Sequence, residues 1–329
     1  MTISGANFSP GAVVTIGGIA AATATVENST TIAATAPPHA AGAADVVVTS
    51  NGQTASLAGG LTYVTNAPPA ISTIVVRGSK PREPAQFADL DETVSVTATV
   101  TDAETPASQL TFNWSADGGT FNGSGPAVTW TAPHTSATPT GVTLTLTVTE
   151  RFQTATGATG ENKSIGTTTV RLHNSPKEVG DLAVDFLTAF SKQLDPDFVV
   201  RNFSDACTGK RDERADVAGN QQDVTITFYN LGAASTTVPF TGHCDYRNRN
   251  GDACAYVPAE WHSLIKAAKY HTDLAPYIGR TMSVTGTDQV TAILENDQWK
   301  LCASDWDQAS GAFISREGHV TPTTLRFRR

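Results

Sequence analysis

The stretch ISGANFSPGAVVTIGGIAA, residues 3–21, decides the fold of the N-terminal part of the chain. It contains no charged residue, and Ala12 to Ile16 alternate so that apolar side chains point to one face. This period of two is typical of a half-buried strand. Gly17 and Gly18 follow directly, and Asn51 and Gly52 come later in the same region; each pair supplies the positive φ angles that a hairpin turn needs. The stretch predicts short antiparallel strands in a small sandwich.

The same pattern continues to Val64, and several segments together resemble the IPT/TIG family of immunoglobulin-like domains. The resemblance is carried by ISGANFSPGAVVTIGGIAA, IAATAP, GAADVVVTSNGQTAS and LTYV. It implies an immunoglobulin-like sandwich over residues 1–65 that lacks the first strand usual in the family. We favour the interpretation that the chain is a fragment of a longer surface protein. The alternative is a filament subunit that self-associates because a neighbour supplies the missing strand.

A short proline-containing linker, TNAPPAIS (residues 65–72), separates this region from a second predicted sandwich. The segments VTATVTDAE, LTFNWSADGGTF and VTWTAP resemble PKD and related bacterial immunoglobulin-like repeats. The resemblance implies a second all-β immunoglobulin-like sandwich over residues 66–173. We expect Trp114 to be its core aromatic residue.

The composition changes at Asn174, because only 6 of the 22 Lys and Arg residues precede it and all 4 cysteines follow it. The segment 174–197 predicts an amphipathic helix, with Ser175 at the N-cap and Glu178 completing a capping box. The junction sequence LHNSP suggests a modestly flexible connection and an elongated rod. We predict an α+β domain over residues 174–329.

Within this α+β region, VPAEWHSLIKAAKYHTDLAPYIG (residues 257–279) predicts a further helix. Residues 283–307 predict two strands joined by a turn at Asn296 and Asp297. The order of elements and the motif TAILENDQWKLCASDW resemble the NTF2-like (SnoaL-like) superfamily. The resemblance implies a cone-shaped pocket between a helix and a curved sheet, and the candidate pocket residues are Asp185, His262 and Asp288. Surface solvation is the more ordinary interpretation of these three residues.

The cysteines predict two disulfides, although free buried thiols and a metal site are alternatives. Cys244 and Cys254 flank a nine-residue loop that contains a hairpin signal, so we pair them with each other. This leaves Cys207 paired with Cys302. Disulfides indicate export to the cell surface or the extracellular space, by way of a signal peptide that is not in this chain.

Catalytic motifs are absent from the sequence, which contains neither a G-x-S-x-G elbow nor an H-E-x-x-H pair. We therefore predict no catalytic residue and no cofactor. Asp91, Glu92, Asp102 and Glu104 are weak candidates for a calcium site, since carboxylates suit that ion, but solvated loop acids are the more ordinary interpretation.

The net charge of −9 argues against nucleic acid as a partner, and no apolar run is long enough for a membrane span. We predict a non-catalytic surface protein in which an immunoglobulin-like stalk presents a C-terminal domain for recognition, adhesion or assembly. Its partner is then a carbohydrate or a surface protein. The alternative is a secreted enzyme or small-molecule binder with its pocket in the C-terminal domain.

Overall fold

The computed structural model of the protein describes residues 1–154, 158–236, 239–240, 251–314 and 320–322. In the described part the chain is mostly β-strand, arranged in two pairs of stacked sheets followed by one curled sheet with three helices. We refer to residues 1–65 as the first sandwich, to residues 66–173 as the second sandwich, and to the chain from residue 174 onward as the C-terminal unit.

The first sandwich consists of a three-stranded sheet in the order β1-β5-β4 and a four-stranded sheet in the order β3-β2-β6-β7. Both predicted turns form, with φ values of 56° and 81° at Gly17 and Gly18 and of 51° and 73° at Asn51 and Gly52. Ile16 and Ile32 are completely buried between the sheets. The strands are β1 (Thr2–Ser4), β2 (Val13–Ile16), β3 (Ile19–Ala20), β4 (Thr23–Asn28), β5 (Thr31–Thr35), β6 (Gly42–Ser50) and β7 (Gln53–Tyr63).

The second sandwich also has two sheets, in the orders β12-β13-β10-β8 and β11-β14-β15-β9. Neighbouring strands are antiparallel except for β15 and β9, which are parallel. Trp130 is completely buried in the core of this sandwich, whereas Trp114 is half-buried, packs against the same core and donates its indole N–H to the Gly125 carbonyl at 3.0 Å. Trp114 therefore contributes to the core as expected, but Trp130 is the tryptophan that is completely buried there. The strands are β8 (Ala70–Arg77), β9 (Phe87–Asp89), β10 (Thr93–Thr101), β11 (Thr111–Ala116), β12 (Thr120–Asn122), β13 (Ala127–Thr131), β14 (Thr140–Gln153) and β15 (Thr159–His173).

The C-terminal unit places helix α1 against the concave face of a curled antiparallel sheet, in the order β16-β18-β19-β20-β21 with β17 beside β18. The turn predicted at Asn296 and Asp297 forms, and both residues have positive φ. The elements are α1 (Ser175–Ser191), α2 (Pro196–Val199), α3 (Gly209–Asp223), β16 (Val224–Leu231), β17 (Ser235–Thr236), β18 (Ala253–Ile265), β19 (Thr281–Glu295), β20 (Gln298–Ile314) and β21 (Val320–Pro322).

The helix predicted over residues 257–279 does not form. Residues 257–265 belong to strand β18, which is bonded to β16 on one side and β19 on the other. The only helical part is a short 3-10 turn at Thr272–Tyr277. Alternate residues of β18 from Ala253 to Ile265 are buried on the concave face, so the pairing of two neighbouring strands overrides the local helical spacing.

The N-cap of helix α1 lies one residue earlier than predicted. Asn174, not Ser175, is the N-cap, and its side chain accepts a hydrogen bond from the Lys177 N–H at 3.2 Å. Glu178 returns the bond by accepting from the Asn174 N–H at 3.0 Å. Ser175 is buried and makes its hydrogen bonds to residues outside the helix, which explains the shift.

Candidate functional site

The boundary between the second sandwich and the C-terminal unit is a packed junction and not a flexible linker. Strand β15 ends at His173 and helix α1 begins at Ser175, so a single residue separates them. Phe87 of β9 is 2% exposed and belongs to the same hydrophobic cluster as α1 and the curled sheet. Its ring contacts Phe240 edge-on, with the ring centroids 5.2 Å apart. The expectation of a modestly flexible connection at LHNSP was therefore wrong, because the two regions share a core.

His173 is completely buried at this junction between two carboxylates. Its Nδ1 lies 2.8 Å from Glu178 Oε2 of α1, and its Nε2 lies 3.3 Å from Asp297 Oδ1 in the turn after β19. Burial alone would lower the pKa of His173, but the hydrogen bonds and charges of Glu178 and Asp297 outweigh it and raise the pKa. The imidazole is thus stabilised in its charged form.

A second polar connection runs through Asp89. Its Oδ1 accepts from the Ser175 N–H at 2.8 Å, at the positive end of helix α1. The Ser175 hydroxyl in turn accepts from the Trp299 indole N–H at 3.1 Å. The chain of bonds leads from the second sandwich through the helix to the curled sheet, and all three residues are less than a tenth exposed.

Asp89 also belongs to a group of three carboxylates around the Lys80 ammonium. The Lys80 ammonium lies 3.0 Å from Glu92, 3.4 Å from Asp89 and 3.6 Å from Glu83. The Glu83 side chain is fully buried, and its Oε1 has no hydrogen-bond partner among the described residues. Burial, together with the charge of Glu92, raises the pKa of Glu83 to about 7 in spite of Lys80.

A cleft of about 640 Å³ opens beside the junction on the outer face of α1. Its floor and walls combine residues of α1, of the segment after α2 and of the start of β20. The residues that line it include Leu182, Asp185, Arg201, Asn202, Trp299 and Lys300, together with Pro139 of the second sandwich. Asp185 forms an ion pair with Arg201 and accepts a 2.8 Å hydrogen bond from Asn202.

The three candidate pocket residues are not brought together. Asp185 lines the outer cleft. Asp288 is completely buried on the concave face, where it pairs across the sheet with buried Val257. His262 lies on the opposite face of β18, with its ring centroid 3.9 Å from that of Tyr229. A single site that uses all three side chains is excluded by this arrangement.

The concave face contains a polar centre that the sequence analysis identified only in part. Both carboxylate oxygens of Asp288 lie 2.9 Å from the Ser304 hydroxyl, and Ser304 is 6% exposed. Glu213 of α3 is 3% exposed and lines the same small cavity as Ser304. Helix α3 was not predicted, so neither Glu213 nor its proximity to Ser304 was accessible from the sequence pattern.

Cys207 and Cys302 form a disulfide with their Cα atoms 5.3 Å apart, the long-range pairing that the sequence analysis favours. It connects the segment before α3 to strand β20. Cys244, the predicted partner of Cys254, lies outside the described residues, and no cysteine within them is free.

Three of the four calcium candidates have different partners. Asp91 lies 2.8 Å from the His134 ring, Glu92 bonds Lys80, and Asp102 accepts from the backbone N–H groups of Glu104 and Thr105. The fourth candidate, Glu104, is exposed. In the described part of the chain, no group of three or more His, Cys, Asp or Glu side chains has a metal-binding arrangement.

Comparison with known proteins identifies the N-terminal region. Residues 1–63 match the family model of the IPT/TIG domain, in agreement with the fold of the first sandwich. No curated protein matches the chain. IPT/TIG domains are typical of immunoglobulin-like surface or extracellular proteins. Among the described helices, none combines the length and the apolar character that a membrane span requires.

Proposed function

We propose that this protein is an exported, non-catalytic surface protein whose two sandwiches present the C-terminal unit for recognition or adhesion. The observation that carries the proposal is the shared core at the junction, where Phe87 of the second sandwich packs among the side chains of α1 and the curled sheet. A flexible tether between two domains does not require a shared hydrophobic core, whereas a rigid support that holds a binding domain in one orientation does.

The setting of the disulfide supports the extracellular part of the proposal. A bridge such as Cys207–Cys302 persists in an oxidising compartment and is rare in the cytosol. The IPT/TIG match over residues 1–63 agrees with the same location. Carbohydrate or a surface protein is the partner class that we favour, because the net charge of −9 disfavours nucleic acid.

We also infer that the second sandwich is PKD-like and the C-terminal unit NTF2-like. The supporting observation for the latter is the position of α1 on the concave face of a curled antiparallel sheet. The strand at Ala253–Ile265 adds support, because an NTF2-like fold continues its sheet at this point of the chain, where a helix would not fit. Sequence searches with the C-terminal unit alone test this inference.

The experiment that tests the proposed function is a binding screen against glycans and matrix proteins with the oxidised full chain. Residues 1–63, which have a hydrophobic core of their own, serve as the comparison. We expect the full chain to bind and residues 1–63 to be inactive. Binding by residues 1–63 at the affinity of the full chain contradicts the assignment of recognition to the C-terminal unit.

A small-molecule site on the concave face is a second candidate function. It is favoured by the buried Asp288, with both oxygens at the Ser304 hydroxyl, and by the nearby buried Glu213. Buried carboxylates are concentrated at functional sites, although they also occur in structural networks. A ligand screen by thermal shift distinguishes a ligand-binding role of Asp288 from a structural role. If Asp288 binds a ligand, Asp288→Asn removes the binding, whereas if its role is structural, the substitution alters only the stability of the protein.

A further inference from the structure

The outer cleft beside α1 has the dimensions of a site for a small ligand. Glu178, Asp181, Leu182 and Asp185 lie on one face of α1 and line it, and this stretch of eight residues measures about 10 Å along the helix axis. The opposite wall is the start of β20, from Gln298 to Lys300. The volume of about 640 Å³ falls within the range of roughly 300–1,000 Å³ that is usual for small-molecule sites.

Three planar polar groups that line the cleft, those of Asp185, Arg201 and Asn202, are held in position. Asp185 Oδ2 accepts from the Arg201 guanidinium and from Asn202 Nδ2. Arg201 is fixed further by a 2.8 Å bond to the Phe198 carbonyl and by stacking 4.0 Å above the centroid of the Phe198 ring. Such preorganisation lowers the entropic cost of binding a ligand.

Two acceptors of this group remain available. Asp185 Oδ1 and Asn202 Oδ1 have no hydrogen-bond partner within the described residues, while the Asp185 side chain is 44% exposed. Carboxylate and amide oxygens accept from hydroxyls, and the N–H groups of Arg201 and Asn202 donate to them. Together they match a ligand whose groups both donate and accept, as hydroxyl groups do.

The charges of the cleft favour a neutral ligand. Arg201 is paired with Asp185, and Lys300 lies 3.2 Å from Glu295, so neither cation is uncompensated. An anionic polymer would require free cations, and the chain as a whole has a net charge of −9.

A peptide is a poorer match than a saccharide. Extended peptides bind by adding a strand to an open sheet edge or by placing side chains in an apolar groove. The edge of β20 is already occupied here, because Leu301 exchanges backbone hydrogen bonds with Asn202 and Ser204. The apolar lining is limited to Leu182, Trp299 and Pro139.

We propose that this cleft binds a neutral saccharide, with Asp185, Asn202 and Arg201 holding its hydroxyl groups. The inference rests on the proposed function, since it names the substrate class and the surface for the recognition that we assign to the C-terminal unit.

The test uses the oxidised full chain on an array of neutral and charged glycans, followed by titration calorimetry with the neutral saccharide that binds best. Asp185→Ala and Asn202→Ala each remove one of the available acceptors, and we expect each to weaken binding at least tenfold. Asp197→Ala is the matched control, since Asp197 forms the same kind of exposed ion pair with Arg214 outside the cleft. We expect this control to bind as the wild type does. Circular dichroism and the melting temperature establish that each variant is folded.

The outcomes separate this inference from the proposed function. If the chain binds a charged glycan or a matrix protein and neither cleft substitution affects that binding, the proposed saccharide site in the cleft is wrong, while the proposed recognition role of the C-terminal unit stands. Binding of a neutral saccharide at wild-type affinity by folded Asp185→Ala and Asn202→Ala also overturns the saccharide site. No binding to any glycan or matrix protein overturns both proposals.

Discussion

The buried imidazole of His173, the last residue of the second sandwich, lies 2.8 Å from the carboxylate of Glu178, in the first turn of the helix that follows. The same ring lies 3.3 Å from Asp297 on its other side, and Arg171 approaches Asp297 to 3.3 Å. Phe87 stacks on the ring with the centroids 4.9 Å apart. The junction therefore surrounds the buried imidazole with two carboxylates and one aromatic ring.

This arrangement predicts that the junction weakens as the pH rises above 6.5. Because the folded pKa of His173 is raised above its ordinary value of 6.5, its contribution is complete below pH 6.5 and is lost as the pH rises through the folded pKa. We expect His173→Gln to reduce the unfolding free energy at pH 6 by about 1.5–3 kcal/mol, the worth of a hydrogen bond to a charged group. Urea unfolding from pH 5 to 9 measures this. A variant with the same pH dependence as the wild type contradicts the role of His173.

The ionisation of Glu83 should also make the protein less stable as the pH rises, as for His173. The Glu83 pKa of about 7 exceeds the ordinary value of 4.5, so the stabilising effect of the neutral form is complete below pH 4.5 and is lost as the pH rises through 7. We expect Glu83→Gln to be more stable than the wild type at pH 8.5 by about 1–3 kcal/mol. Lys80 keeps Asp89 and Glu92 as partners in this variant. Thermal denaturation at pH 5 and 8.5 measures this difference. If Glu83→Gln is less stable than the wild type at pH 8.5, the ionised form of Glu83 stabilises the fold and the prediction is wrong.

Phe87 tests the shared core. Truncation to Ala removes a large buried side chain, and we expect a loss of about 3–5 kcal/mol. Hydrogen exchange by mass spectrometry should show weaker protection of the α1 amides. Phe121→Ala is the control, since Phe121 packs only against the core of the second sandwich. Equal protection of α1 in the wild type and in Phe87→Ala would show that the junction does not support the helix.

Asp223 holds the segment that follows strand β18. Its carboxylate accepts from the backbone N–H groups of Lys269, Tyr270 and His271 at 2.5–2.8 Å. Burial raises its pKa, but these three bonds outweigh that effect and lower it. The stabilisation is therefore present above the ordinary value of 3.8 and is lost as the pH falls through the folded pKa.

We expect Asp223→Ala to cost about 3 kcal/mol at pH 7, because three backbone N–H groups lose the buried carboxylate that accepts their hydrogen bonds. Chemical denaturation measures the loss. Asp273→Ala is the control, since Asp273 is exposed in the neighbouring 3-10 turn and should be neutral within about 0.5 kcal/mol. A neutral Asp223→Ala would contradict the anchoring role.

The Cys207–Cys302 bridge closes a loop with a sequence separation of 95 residues. The chain-entropy estimate for so long a loop is about 4–5 kcal/mol. We expect the double variant Cys207→Ser, Cys302→Ser to lose stability of this order in guanidinium unfolding. Non-reducing peptide mapping of the wild type establishes the pairing, and a peptide that joins Cys207 to another cysteine contradicts it.

Much of the fold could be predicted where a local pattern and its tertiary partner agree. Gly17, Gly18 and Asn51 mark turns that form, and the apolar stripe of α1 from Val179 to Phe190 is the buried face. Local sequence patterns gave a wrong prediction where the neighbouring strands determine the secondary structure. Leu264 looks like part of a helical stripe, yet it is 43% exposed on strand β18, because neighbouring strands fix the register.

The candidate site was less predictable for a related reason. Helix α3 carries almost no apolar stripe, with Val217 as its only large buried hydrophobic residue, so its periodicity gave no signal. Asp185 was identified as a pocket residue, but its partners Arg201 and Asn202 come from a segment 16–17 residues away. Such convergence depends on how α1 and α2 pack, which no spacing in the sequence encodes.

The most direct test of the central claim is the affinity of the glycan or matrix protein found in the screen for residues 64–329, measured beside the full chain. The ligand is then recovered and analysed by mass spectrometry. We predict equal affinities for the two chains and a chemically unchanged ligand. Loss of binding on removal of residues 1–63, or a ligand that is cleaved or modified, would contradict non-catalytic recognition by the C-terminal unit.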